Sequence, residues 1–174
     1  NGGYGGGLYV YGSSINITIK QCAFLENSAL NDGGGACAHS LSGTITITNN
    51  TFSGNSACDG GSVYARGGTV TITNNTFSKN SAHHGGGVYA VSYSGTLTIR
   101  ITNNTFLENS ALNDGGGVYA YSYSVLITNN TFSKNSAHHG GGVYAVSYSG
   151  TITITNNTFS GNSANDGGGV YLSL

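Results

Sequence analysis

The stretch "ITNNTFSKNSAHHGGGVYAVSYSGT" runs from Ile72 to Thr96, and the same letters return unchanged from Ile127 to Thr151. A loop copied together with its flanking strands points to a surface built by repetition. Phe occurs at 24, 52, 77, 106, 132 and 159, and each is followed three residues on by Asn: Asn27, Asn55, Asn80, Asn109, Asn135 and Asn162. Successive Phe lie 28, 25, 29, 26 and 27 residues apart. A glycine signal keeps the same beat at Gly5, Gly33, Gly60, Gly85, Gly115, Gly140 and Gly167. Self-similarity at such a period is the signature of a solenoid and argues against a disordered, low-complexity chain.

Inside one repeat the apolar residues alternate with a period of two, as strands require and helices do not. In "TITIT" (Thr44–Thr48) Ile45 and Ile47 share one face and the threonines the other. The inner pair recurs as Ile17/Ile19, Val70/Ile72, Ile99/Ile101, Val125/Ile127 and Ile152/Ile154, always β-branched, which suits a pleated and half-buried surface. After the glycines a second strand alternates Val with Tyr, so parity turns Val63, Val88, Val118, Val143 and Val170 inward and Tyr outward. A third short strand carries the Phe and the "NSA". Three strands in about 27 residues leave no room for a helix and predict an all-β fold: a parallel β-helix of about six coils, roughly 29 Å tall. Residues 1–174 read as a single β-helix domain without evident terminal caps.

The six F-x-x-N copies, with the "GGGVY" and "GGSVY" clusters, resemble the repeats of the polymorphic outer-membrane proteins and autotransporter-like adhesins. Those repeats carry F-x-x-N and G-G-A-[ILV] motifs; here a glycine or serine stands where that family has alanine, and "GGGAC" is looser still. The resemblance covers nearly the whole chain. It implies a right-handed helix, an extracellular or cell-surface setting and an adhesin-like role.

Composition excludes several classes. Lys and Arg number 5, Asp and Glu 6, and the net charge is −1, so nothing attracts a polyanion or an anionic membrane, and no nucleic-acid partner is expected. No apolar run approaches the roughly 20 residues of a membrane span. The lack of any Met, initiator included, suggests a processed product or part of a longer chain. No cofactor is expected.

In a parallel solenoid, equivalent residues stack into columns, and candidate sites are read column by column. The first Asn of "ITNNTF" (Asn49, Asn74, Asn103, Asn129, Asn156) continues the inward parity of the preceding Ile and is expected to form a buried corner ladder. The same residues, with Asn16, begin N-x-T sequons and are the candidate glycosylation sites; strand parity puts Asn16 alone outside. The residues before the glycines, Asp32, Asp59, His84, Asp114, His139 and Asp166, invite a metal reading, but no third ligand converges by spacing, and solvated turn residues are expected with no metal site. Glu26, Gly54, Lys79, Glu108, Lys134 and Gly161 form a mild charge column suited to setting register.

The outward tyrosines Tyr64, Tyr89, Tyr119, Tyr144 and Tyr171 form the candidate contact face, with Tyr9 further down the column, Cys37 interrupting it, and Tyr93, Tyr121, Tyr123 and Tyr148 beside it. Arg100 and Leu126 interrupt the outer threonine column Thr18, Thr46, Thr71 and Thr153, which argues against ice binding. Catalysis of the pectin-cleaving kind needs clustered carboxylates with nearby cations, and nothing breaks the repeat in that way, so no catalytic residue is expected. Cys22, Cys37 and Cys58 occupy three angular positions, and their pairing stays open. Taken together, these features predict an extracellular structural protein that stacks head to tail into a fibre or forms part of an adhesin stalk, with itself, glycans or a cell surface as partners. The alternative is a carbohydrate-binding or carbohydrate-cleaving (pectate-lyase-like) β-helix.

Overall fold

The structure, a computed structural model, describes residues 3–92, 98–147 and 149–173. Each strand pairs in parallel with its equivalent one coil later, so the chain winds as a parallel β-helix. One seven-stranded sheet runs from Leu8–Gly12 to Val170–Ser173, a six-stranded sheet from Ile17–Lys20 to Thr151–Thr155, and another from Ala23–Leu25 to Thr158–Ser160. The "NSA" segment lies apart from the Phe strand. It pairs from coil to coil mainly through single bridges such as Ser28–Ser56 and Ser136–Ser163, and lengthens into a ladder only where Ser81–His84 meets Ser110–Asp114.

The inward parity of Ile, Val, Ala and Phe holds. Ile45, Ile47, Val70, Ile72, Val63 and Ala65 are fully buried, and each side chain of Val or Ile size contributes about 2 kcal/mol on leaving water. The six Phe rings form one stack, with centroids 4.7–5.1 Å apart and planes within 9°. The glycine cluster lets the coils approach. A methyl group on Gly116 would lie 2.4 Å from the carbonyl oxygens of Gly141 and Ser136 in the next coil. The glycine before it, Gly115, takes φ +68°, which an L side chain rarely adopts.

The corner asparagines differ from the parity reading. Asn49, Asn74, Asn103, Asn129 and Asn156 are exposed and adopt φ of 55–57°. A left-handed residue turns the chain and resets the alternation, so the residue after it points inward. Asn tolerates that conformation better than most side chains. The ladder is therefore built one position later, by Asn50, Asn75, Asn104, Asn130 and Asn157, with Cys22 in its place in the first coil. Asn104 shows the pattern. Its Nδ2 donates to Ile72 O (2.9 Å) and Asn130 Oδ1 (3.1 Å), while its Oδ1 accepts from the backbone N–H of Asn75 (2.9 Å).

A second corner repeats the device. Glu26, Gly54, Lys79, Glu108, Lys134 and Gly161 take φ of 54–67°, and the Asn of each F-x-x-N follows. Asn109 Nδ2 donates to Phe77 O (3.0 Å) and Asn135 Oδ1 (3.0 Å). F-x-x-N is thus one structural unit: the ring fills the core, and the amide two residues beyond the strand closes the corner.

Candidate functional site

The outward face of the seven-stranded sheet carries the most organised surface. Register places Tyr64, Tyr89, Tyr119, Tyr144 and Tyr171 in one column. Their rings stack with centroids 5.2, 4.5, 5.2 and 5.2 Å apart and planes within 10°. Each interior ring covers its neighbours' faces, so the ladder presents ring edges and hydroxyls to solvent. A sugar ring stacks on an aromatic face, and along this ladder the faces are taken. Tyr121 lies half-buried beside the column and Tyr123 is exposed, while Tyr93 and Tyr148 lie outside the described residues.

Beside the tyrosines runs the column before the glycines, and it is not a row of solvated turns. Asp114 is held between two imidazoles, with His84 Nδ1 at 3.0 Å and His139 Nδ1 at 2.8 Å, and its side chain is only 19% exposed. His139 Nε2 lies 3.7 Å from Asp166. The rings of His84 and His139 also meet Tyr119 and Tyr171, with centroids 6.0 and 5.4 Å away. The backbone bridges Asp59–His84, Asp114–His139 and His139–Asp166 bring these side chains together, so the copied "HH" turns reach the acids of neighbouring coils.

Lower in the column Asp32 bridges to Asp59, two acids in succession. Burial, then the neighbouring Asp59, pushes the Asp32 carboxyl up to about 6. Burial also raises Asp59, against the opposing pull of His84 and His83. Among the described residues no group of three or more His, Cys, Asp and Glu is arranged to hold a metal ion.

Cys37 takes a tyrosine's place between Tyr9 and Tyr64. Being small, it is 2% exposed rather than part of the open column, and a cavity of about 290 Å³ opens over it. Tyr9 and Tyr64 wall the cavity, Asp32 lies on one side, and His39 and Arg66 on the other. Burial, then Asp32, pushes the Cys37 thiol up to about 12, which leaves it protonated and unreactive at neutral pH. Burial, then Arg66, lowers His39, so its ring is neutral there. In the sequence Cys37 is visible only as an interruption of the tyrosine column; the signal for the cavity is the register column Tyr11, His39, Arg66 alongside.

The remaining candidates are dispersed. All three cysteines are free; Cys22 is exposed, and Cys58 Sγ lies 3.5 Å from His83 Nδ1. Lys134 and Glu108 pair at 3.8 Å on open surface. The sequon residues Asn16, Asn49, Asn74, Asn103, Asn129 and Asn156 are all exposed, not Asn16 alone. The outer threonine column is interrupted at Arg100 and Leu126, as read.

The family model of a right-handed β-helix region matches residues 6–173. The chain belongs to the right-handed β-helix family. Its coils therefore wind to the right, and its columns are those of a continuous β-helix over nearly the whole length. No curated protein and no solved structure matches the chain. β-Helix proteins include polysaccharide-cleaving enzymes as well as proteins without catalysis, so the family is compatible with structural, adhesin-like and carbohydrate-related roles. The finer F-x-x-N and G-G-A signature of the autotransporter-like adhesins stays a resemblance. No helix among the described residues is long and apolar enough to cross a membrane.

Proposed function

We propose that this right-handed β-helix is a non-catalytic, extracellular structural element whose coils stack end to end, as a fibre unit or as a length of adhesin stalk. The observation that carries the reading is the continuity of the columns. The Phe stack passes through six coils and the tyrosine stack through five, each unbroken from ring to ring. A catalytic β-helix gathers acids and cations at one break in the repeat. Here the aspartates are spread along one column, Asp114 is tied to His84 and His139, and the cavity over Cys37, where the tyrosine ladder breaks, has Asp32 as the single acid among its described lining residues.

The outermost described coils carry the same columns as the inner ones, with Ile152, Ile154, Phe159 and Val170 packed on the core but only partly buried. A further coil, from the same chain or from another copy, continues each column in register. Copy-to-copy stacking of this kind is heterologous and does not close. The exposed sequons are the glycan acceptors in this reading, and the outward tyrosine edges are its contact surface.

Light scattering over a wide concentration range tests the proposal. Mass that grows with concentration, and growth blocked by Leu172→Glu on the exposed inward position of the last coil, is the expected outcome. A single mass at every concentration refutes self-stacking. Turnover of an acidic polysaccharide, lost on Asp59→Asn or Asp114→Asn, refutes the non-catalytic reading. Excess intact mass in hexose-sized steps identifies glycosylation.

A further inference from the structure

The interrupted tyrosine ladder has the dimensions of a ligand slot. Tyr9 and Tyr64 stand on strands two coils apart, about 9.6 Å at the usual strand spacing. Elsewhere in this column that interval holds one more ring, at 4.5–5.2 Å from each neighbour. Over Cys37 no side chain of the column fills it, and a cavity of about 290 Å³ remains, with Tyr4, which stacks on Tyr9 at 5.7 Å, and Tyr11 also in its lining. The two sides of the slot differ in chemistry. Arg66 supplies a permanent cation with planar donors, and beside it His39 has a buried Nε2 without a hydrogen-bond partner. Across the slot stands the Asp32 carboxyl, an acceptor. The floor is a neutral thiol that adds no charge.

We propose that the gap over Cys37 binds a small flat aromatic acid: its ring takes the missing tyrosine's place between Tyr9 and Tyr64, its carboxylate lies on the Arg66 and His39 side, and a hydroxyl or amine para to it lies on the Asp32 side. A chair-shaped sugar acid shares the carboxylate but is thicker than the ring that one rung interval accommodates. Burial raises Asp32 to about 6, so the carboxylate is the form present at pH 7.5 and the hydroxyl of the ligand donates to it. The inference does not depend on whether the coils assemble end to end.

Calorimetric titration of the chain with 4-hydroxybenzoate at pH 7.5 tests the slot, with 4-methylphenol and galacturonate as comparison ligands. Saturable binding at one site per chain is expected, with a Kd on the order of 0.1–1 mM for a ligand of this size. Cys37→Tyr, which restores the residue found in the neighbouring coils, abolishes binding while the circular dichroism spectrum is unchanged; Cys37→Ala keeps Kd within about threefold. Arg66→Gln weakens 4-hydroxybenzoate by about tenfold, the worth of one charge-assisted contact, and 4-methylphenol by less than about twofold. The proposal is overturned by no saturable binding to the unmodified chain, by binding that survives Cys37→Tyr, or by equal losses for the two ligands in Arg66→Gln. Galacturonate binding as tightly as 4-hydroxybenzoate, and lost in Cys37→Tyr, overturns the aromatic assignment in favour of a sugar-acid slot.

Discussion

Asn103 and Asn104 are adjacent and chemically identical, yet the fold gives them opposite roles, and alanine at each separates those roles. Replacing Asn104 removes the acceptor of the buried Asn75 N–H and of Asn75 Nδ2, and the donor to Ile72 O and Asn130 Oδ1. An orphaned buried donor costs about 1–3 kcal/mol, and each further lost bond about 1 kcal/mol net. Asn75 Nδ2 keeps its bonds to Ile47 O and Thr73 O. Asn104→Ala should therefore destabilise the chain by about 3 kcal/mol. With a urea dependence of about 2 kcal/mol per molar, the unfolding midpoint falls by about 1.5 M. Asn103 is exposed at φ 57°, so Asn103→Ala costs only the left-handed penalty of about 1 kcal/mol, and Asn103→Gly removes even that. Urea unfolding followed by far-ultraviolet circular dichroism measures all three variants. If Asn103→Ala costs as much as Asn104→Ala, the reset of parity at the corner is wrong, and with it the ladder.

Three further outcomes follow from the same geometry. Phe106→Ala opens a hole between the rings of Phe77 and Phe132 and should cost about 3–5 kcal/mol in the same assay. Gly116→Ala drives a methyl against two backbone oxygens at 2.4 Å and should cost about 3 kcal/mol or prevent folding, whereas Gly161→Ala, whose nearest contact is Lys134 Cγ at 3.6 Å, should cost about 1 kcal/mol, as soluble yield and unfolding midpoints will report. Asp32 is raised from about 3.8 to about 6 by burial and Asp59; the folded chain then binds more protons in that window, so stability falls as pH rises through it. Asp32→Asn removes the penalty, and after discounting for solvent screening it should stabilise by about 1 kcal/mol at pH 7 and by nothing measurable below pH 4, a difference that thermal melts at the two pH values resolve.

Much of this was legible in the sequence because a parallel solenoid converts spacing into position. The recurrence of Phe with Asn three residues on, and of Ile-x-Ile and Val-Tyr-Ala, determined the coil length, the inward and outward faces and the tyrosine column, since strand parity is a local rule. Parity fails where the backbone leaves the β region. No alternation pattern announces that Asn103 takes φ 57°, so parity alone places the inward amide one residue early. The acid–histidine contacts were equally hidden. They depend on which acid in the next coil faces which imidazole across a bridge, and the copied "HH" reads as a turn until His84 and His139 are placed on either side of Asp114. The cavity over Cys37 comes from a missing side chain, and its volume shows only when the neighbouring columns are in place.

The central claim, a stack of in-register coils that continues from copy to copy, is tested most directly by electron microscopy of the purified chain at rising concentration. The account predicts rods of constant width that lengthen in whole-protomer steps and give an axial reflection at the strand spacing of about 4.8 Å. Uniform particles one protomer long at every concentration, or rods without that axial spacing, would contradict it.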